Sequence, residues 1–456
     1  MPNTLYLPEL REMLASGDQQ GLREFCDALH PASAADFMEG LTPEESWKVL
    51  KSADAPLRAE VFSYFERPKQ IDVLREIPDD QVGQFVSRLA PDDRADLFKR
   101  MDRPTAERLL PLVPSEERRD ILRLSAYPED TAGAAMTSRF ARLGPEMTIR
   151  QALEEITRQA GALEMIYYLY VLDDQHHLLG VVSAKELVAA LRQPETAVES
   201  IMERELITVL ATERKEEAAR KVAFYDLMAI PVVDEQRHML GIITHDDVID
   251  VVVDEATEDA HRMGGVVPGV EDYLEAPFLL IWRKRVVWLA CLFVAELFTF
   301  TALASFENAI AQVLALSLFV PLCISTGGNS GSQAATLLTR ALALGQVDLR
   351  DWWRVLRHEL LMGLALGASL GAIGFVRAAA TPAGVLGQVS RWEMALVISQ
   401  AVAAICLWGT LVGSMLPLVF KRFGIDPGVA SSPFVATFVD VTGIIIYFSI
   451  AQAWLL

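Results

Sequence analysis

The chain has 456 residues, enough for about three domains. It carries 41 basic against 61 acidic residues, and the excess is uneven. From Arg283 onward 11 basic residues face 8 acidic ones, whereas the first 282 residues hold 30 and 53. So acidic a front half argues against nucleic acid as a partner, because phosphate backbones reward positive surface. It points to metal cations or to plain solubility. The four cysteines, Cys26, Cys291, Cys323 and Cys406, show no metal-ligand spacing and fit a reducing compartment. No apolar stretch opens the chain, so no cleaved signal is expected and the first membrane span must serve as the address.

Residues 1–135 read as an all-α domain of short helices. Proline followed by acids recurs as a helix start, in Thr42-Pro43-Glu44-Glu45, Ile77-Pro78-Asp79-Asp80, Ala90-Pro91-Asp92-Asp93 and Val113-Pro114-Ser115-Glu116. Proline in a first turn gives up no needed N–H, and acids there oppose the positive helix end. Apolar residues follow at helical spacing, as in Val82, Phe85, Val86 and Leu89. The expected result is a small superhelical stack.

Residues 136–246 repeat themselves. Leu178-Leu-Gly-Val-Val-Ser-Ala-Lys-Glu-Leu187 matches Met239-Leu-Gly-Ile-Ile-Thr-His-Asp-Asp-Val248, about 61 residues later. A β-rich segment precedes each and an amphipathic helix follows. This α/β pattern of two β-α-β-β-α copies resembles a tandem cystathionine-β-synthase-type (CBS) pair.

Residues 247–275 begin with an acidic helix. Asp247, Asp250, Asp254 and Glu258 share one face, with Glu255 and Asp259 beside it. Like charges at these spacings cost a few tenths of a kcal/mol per pair, so water with salt, or a bound cation, must compensate. On this segment alone a solvated connector face is the favoured account.

Residues 276–456 read as a transmembrane domain of five helices. Apolar stretches at about 285–306, 309–343, 354–380, 393–420 and 428–455 each suffice for a hydrocarbon core of about 30 Å. The second is expected to be broken at Pro321 and at Ser325-Thr-Gly-Gly-Asn-Ser-Gly-Ser-Gln333, a polar loop lining a path or a close helix contact. Arg283, Lys284, Arg285, Arg340, Arg350, Arg354, Arg357, Lys421 and Arg422 gather on one side, against Arg377 and Arg391 on the other. The positive side is cytoplasmic, so the acidic half is expected inside and the tail from Ala451 outside.

Asp440 stands in the middle of the last apolar stretch. A carboxylate there costs roughly 2.5–3.5 kcal/mol on insertion scales, so it should face a bundle interior or water. Such an acid serves a cation or a proton, or is simply hydrogen-bonded within the bundle. Hard divalent ions prefer oxygen ligands, and magnesium keeps waters around one or two carboxylates. One acid per chain gives two in a twofold dimer, with Asn329, Thr336 and Thr437 as hydration partners. Soft metals would want His, Cys or Met beside it. These residues favour a hard divalent cation without singling one out.

The whole order, a multidomain membrane protein with a superhelical domain, a CBS pair, an acidic helix and five spans, resembles the MgtE magnesium channel family over nearly the full chain. The carrying motifs are Gly327-Gly-Asn-Ser-Gly-Ser-Gln-Ala-Ala-Thr-Leu337, Asp426-Pro427, Asp440-Val-Thr-Gly443 and Glu255-Ala-Thr-Glu-Asp259. The resemblance implies a homodimer in the bacterial inner membrane. Its second and fifth spans would line a pore through Gly328, Asn329, Thr336, Ala436 and Thr437, with Asp440 holding hydrated Mg2+. It implies that the acidic helix is a plug, held by Mg2+ at Glu258, Asp259 and Asp426. Asp92 and Asp96 would meet Asp247, Asp250 and Glu255 across a second cluster, and Glu216 and Asp226 match further metal positions.

CBS pairs often bind ATP or another adenine nucleotide, and Thr244-His-Asp-Asp247 fits the segment whose acid contacts ribose. Leu227 stands where an aromatic ring can stack on adenine, and Ser183-Ala-Lys-Glu186 matches less well. An intramembrane protease would need His-Glu-x-x-His, and His358-Glu359-Leu-Leu-Met362 lacks its second His, so no enzyme is expected. A chloride channel would carry more spans, placed before the repeats. A tethered nucleotide sensor would need neither Asp440 nor the polar second span.

Overall fold

The computed structural model describes residues 5–163, 165–268 and 276–455. They fall into two compact units, Met1–Val253 and Asp254–Leu456.

In the first unit ten helices run up to Ser125: α1 (Leu7–Ser16), α2 (Gln19–Ala28), α3 (Pro31–Met38), α4 (Pro43–Ser52), α5 (Ala55–Ser63), α6 (Arg67–Glu76), α7 (Asp79–Val86), α8 (Pro91–Arg100), α9 (Arg103–Leu109) and α10 (Ser115–Ser125). The proline–acid starts are where the sequence places them. Thr42 and Glu45 form a reciprocal cap at the head of α4, with Pro43 in the first turn. The helices bury one apolar face each in a common core, in which Trp47 and Phe62 both pack edge-on against Phe85.

The repeat follows. β1 (Ala141–Leu143), α11 (Ile149–Gln159), β2 (Tyr168–Leu172), β3 (Leu178–Ser183) and α12 (Ala184–Ala189) make one copy. β4 (Val209–Leu210), α13 (Lys215–Tyr225), β5 (Ala229–Val233), β6 (Met239–Thr244) and α14 (His245–Met263) make the other. Each copy has a three-stranded sheet, first pair parallel and second antiparallel. Both antiparallel pairs slip register at equivalent points, Val171/Leu172 and Val232/Val233. Where the copies meet, His177 and His238 stack with centroids 4.3 Å apart, each ring bonded to its own Asp173 or Asp234. α14 starts in the first unit and ends in the second; residues 269–275 of the expected linker lie outside the described residues.

The second unit contains α15 (Phe278–Ala304), α16 (Glu307–Gln312), α17 (Ala315–Ala343), α18 (Trp352–Ala379), α19 (Ala383–Leu386), α20 (Arg391–Arg422) and α21 (Ser432–Leu455). Among the described residues four helices, α15, α18, α20 and α21, are long and apolar enough to cross a membrane. α17 has 29 residues, or about 43 Å, so its length suffices, but its polar middle keeps it out of that class.

That polar middle corrects an expectation: α17 is not broken at 325–333. It runs as one helix through Pro321 and the glycines. Glycine costs a helix roughly 1 kcal/mol each, so tertiary contact must repay it. A Cβ on Gly331 would stand 2.9 Å from the Gly409 carbonyl oxygen and 2.9 Å from Val435, and one on Gly413 would overlap the Gly331 carbonyl. The glycines let α17 and α20 touch backbone to backbone, the small-residue packing that membrane helices use. Ser330 adds hydrogen bonds to the carbonyls of Gly327 and Cys406. The alternative anticipated for this segment, a close helix contact, is what forms.

Candidate functional site

Three groups of predicted residues can be built up from these elements. The first lies where α17 packs on α21. A Cβ on Gly328 would be 3.4 Å from Asp440 Oδ1 and 3.5 Å from Ala436 Cβ. Gly328, Ala436 and Asp440 are thus together, with the carboxylate lying against α17. Asp440 and Thr437 are half-buried. Ser325, Asn329, Gln333 and Thr336 form an exposed polar stripe along α17. Asn329 donates to Ser325 Oγ at 3.4 Å, and Thr336 Oγ1 lies 3.4 Å from Ser432 Oγ. A polar stripe on a membrane helix needs protein or water against it.

The second group is at the end of α14. Asp426 caps the short turn Pro427–Val429, its Oδ1 accepting the Gly428 N–H at 2.7 Å. Its other oxygen pairs with Arg262, whose second terminal nitrogen pairs with Glu258 one turn back on α14. A guanidinium therefore stands between two of the three acids to which the resemblance assigns a metal.

The third group lies in the first unit. Ala95 of α8 shares a buried cluster with Val248 and Val251 of α14, and Asp93 of α8 lies within electrostatic reach of Asp247. Asp96 pairs with Arg67 (3.2 Å) and Arg100 (3.0 Å), and Asp93 with Arg67 (2.8 Å). Burial pushes the Asp247 carboxyl up to about 6, and the charges of Asp246 and Asp93 push the same way. Bonds from the Thr244 backbone and hydroxyl, the latter at 2.5 Å, oppose that shift. Thr244 and Asp247 therefore sit together at the head of α14. Asp250, Glu255 and Asp259 follow along α14. Glu216 pairs with Arg214 at the start of α13, and Asp226 caps its far end with φ +53°. Ten residues of helix, about 15 Å, separate those two, so they do not share a single ion. Among the described residues no three His, Cys, Asp or Glu side chains converge as a ready metal cage.

Two charged residues escaped the sequence reading. Arg262 was legible as a base four residues beyond Glu258 on an acidic helix, but nothing in the sequence pairs it with Asp426. Glu296 is the lone acid of α15. It accepts from Thr299 Oγ1 at 3.0 Å and lies within electrostatic reach of Asp440. An acid inside an apolar span was its available signal.

Residues 320–450 match the "Divalent cation transporter" family, MgtE; residues 29–130 match the "MgtE intracellular N domain"; residues 132–193 and 198–254 match CBS domains. The magnesium transporter MgtE of Thermus thermophilus is 37% identical over 451 residues, 97% of both chains. That of Bacillus subtilis is 28% identical over 443 residues, 97% of this chain and 96% of its own. Among solved structures, the cytosolic domain of the Mg2+ channel MgtE in complex with ATP is 34% identical with a TM-score of 0.50. It covers 53% of this chain and 98% of its own. The soluble part of a magnesium transporter is 31% identical with a TM-score of 0.51, covering 55% and 97%. With a relative so similar along nearly its whole length, and with domain matches in the same order, this chain belongs to the MgtE family of magnesium transporters, a non-enzyme family of membrane proteins with a cytosolic N domain and a CBS pair.

Proposed function

We propose that two copies of this chain form a pore in the bacterial inner membrane that imports Mg2+ and closes when cytosolic Mg2+ is high. Each copy spans five times, through α15, α17, α18, α20 and α21, with the acidic half in the cytoplasm and the C-terminus outside. α17 and α21 line the path. Asp440, with Asn329, Thr336 and Thr437 nearby, holds the ion with part of its water shell, as a hard and reluctantly dehydrated ion requires. The observation that carries this reading is the Asp440 carboxylate lying against Gly328, beside a polar stripe that a single copy leaves exposed.

Closure is a population shift, and it requires the ion to bind the closed state more tightly. Mg2+ among Asp92, Asp96, Asp247, Asp250 and Glu255, and at Glu216 and Asp226, screens their repulsion and favours the closed arrangement. At the plug helix Mg2+ engages Glu258, Asp259 and Asp426, in exchange with the Arg262 guanidinium. An adenine nucleotide held by Thr244 and Asp247 would add a second input.

Asp440→Ala is the direct test. It should abolish rescue of a Mg2+-dependent strain while leaving the dimer intact by cross-linking. Normal rescue would overturn the pore assignment.

A further inference from the structure

The front half of the chain is acidic in composition, yet the first unit carries an open cavity of about 1280 Å³ with the opposite sign. Helices α8 and α10 form one side, and β1, α11 and the β2–β3 and β5–β6 turns the other. Six arginines line it against four acids, an excess of two positive charges in a chain whose net charge is −20.

Arg94 and Arg139 are neighbours in this lining, with Asp120, Glu117 and Asp92 also within electrostatic reach of Arg94. Arg94 is only 2% exposed. Its Nη2 donates to Asp120 at 3.3 Å, while Nε and Nη1 are buried with no partner. Asp120 is already shared, accepting from Arg123 at 2.8 Å and from Ser138 at 2.7 Å. Burial, and then the neighbouring Arg139 charge, hold the Arg94 guanidinium below its ordinary pKa. Arg139 donates to the Ser87 carbonyl at 2.8 Å, and Arg142 rests on the Phe140 ring 5.5 Å away. Among the described residues neither has a carboxylate within ion-pair distance. A buried guanidinium short of acceptors, beside a second one, is costly unless an anion supplies what is missing.

We infer that this cavity is a binding site for a phosphate-bearing anion, with a phosphate group seated between Arg94 and Arg139. A phosphate brings about −1.5 to −2 charges at neutral pH and three strong acceptor oxygens, which suits the excess of two positive charges along the lining and the unpartnered Arg94 nitrogens. Guanidinium forks suit it geometrically. The volume exceeds one phosphate, so the anion is larger: an inorganic polyphosphate or a nucleotide polyphosphate. Thr244 and Asp247 do not line this cavity, so it is separate from the nucleotide cleft that the CBS motif suggests. Because α8 also carries Asp92 and Asp96, an anion here would tie the N domain's acidic face to the first CBS repeat.

The test is calorimetric titration of the full-length protein in detergent, with EDTA present, by tripolyphosphate and separately by ATP. Tripolyphosphate should bind the wild type, lose at least tenfold in affinity in Arg139→Ala, and be unaffected by Asp247→Asn. ATP binding that is lost with Arg139→Ala would name a nucleotide as the source. ATP binding that responds to Asp247→Asn alone, beside tight tripolyphosphate binding, would name an inorganic polyphosphate. No binding of tripolyphosphate, or binding indifferent to Arg139→Ala, would overturn the inference. Should Arg139→Ala unfold, hydrogen exchange on the wild type decides: tripolyphosphate should slow exchange in α8 and α10, and unchanged exchange there would also overturn it.

Discussion

Arg262 holds Asp426 by one guanidinium nitrogen while its other terminal nitrogen holds Glu258. The end of the acidic helix thus carries its own positive charge to the turn before α21. A tethered cation differs from a free one in a useful way, because its local concentration does not change with the cytosol. In the gate proposed above, this tethered charge sets a basal closed population, and Mg2+ exchanging with it deepens closure.

Arg262→Gln should therefore raise flux at low cytosolic Mg2+ and leave closure at high Mg2+ largely intact. Partly exposed ion pairs are each worth up to about 1 kcal/mol, so the open-to-closed ratio should rise about fivefold without Mg2+. Flux into proteoliposomes at two internal Mg2+ concentrations would measure it. An unchanged ratio between the two fluxes would mean the guanidinium only decorates the surface.

Asp247 gives a pH signature. Its folded pKa lies above the unfolded value, so its charge costs the folded state stability. That cost is absent when the group is protonated in both states, grows as the pH rises from about 4 to about 6, and is complete at neutral pH. In EDTA at pH 7, Asp247→Asn should stabilise the first unit by on the order of 1–2 kcal/mol, and the gain should vanish near pH 4. With millimolar Mg2+ the order should reverse, since only the wild type gains from the ion. Thermal unfolding followed by circular dichroism would show both effects. Equal melting of the two proteins in EDTA at pH 7 would contradict the cost assigned to the buried Asp247 charge.

Gly413→Ala tests the backbone contact between α17 and α20. The added methyl would overlap the Gly331 carbonyl oxygen, and backbone cannot turn aside as a flexible side chain can. Overpacking of this kind costs about 1–3 kcal/mol, so the melting temperature in detergent should fall and uptake should drop with Asp440 untouched. Gly384→Ala, where a Cβ meets nothing within 4 Å, is the matched control. Equal stability of the two variants would show that the helices are not in register here.

How much of this could be read in advance depends on how local the signal is. The starts of α4, α7, α8 and α10 were legible because proline and first-turn acids act within one turn. The CBS copies were legible because β3 and β6 repeat a pattern at fixed spacing. The continuity of α17 was not, because Gly327 and Gly331 are weak helix formers alone and become favourable only against Gly409 and Gly413. Arg262 and Asp426 are 164 positions apart in sequence, and no periodicity links them. The Arg94–Arg139 cavity was hidden likewise, since each arginine looks like an ordinary surface charge until the fold sets the two side by side.

The glycine seam between α17 and α20 has a mechanical corollary for the two-copy pore proposed above. Two rods in contact along bare backbone have no compressible side chains between them, so they travel as one piece. Any change of bore must then arise on the opposite flank of α17, where Asn329 and Thr336 look outward. In such a channel the aperture is set by the spacing of the subunits, not by bending within either one.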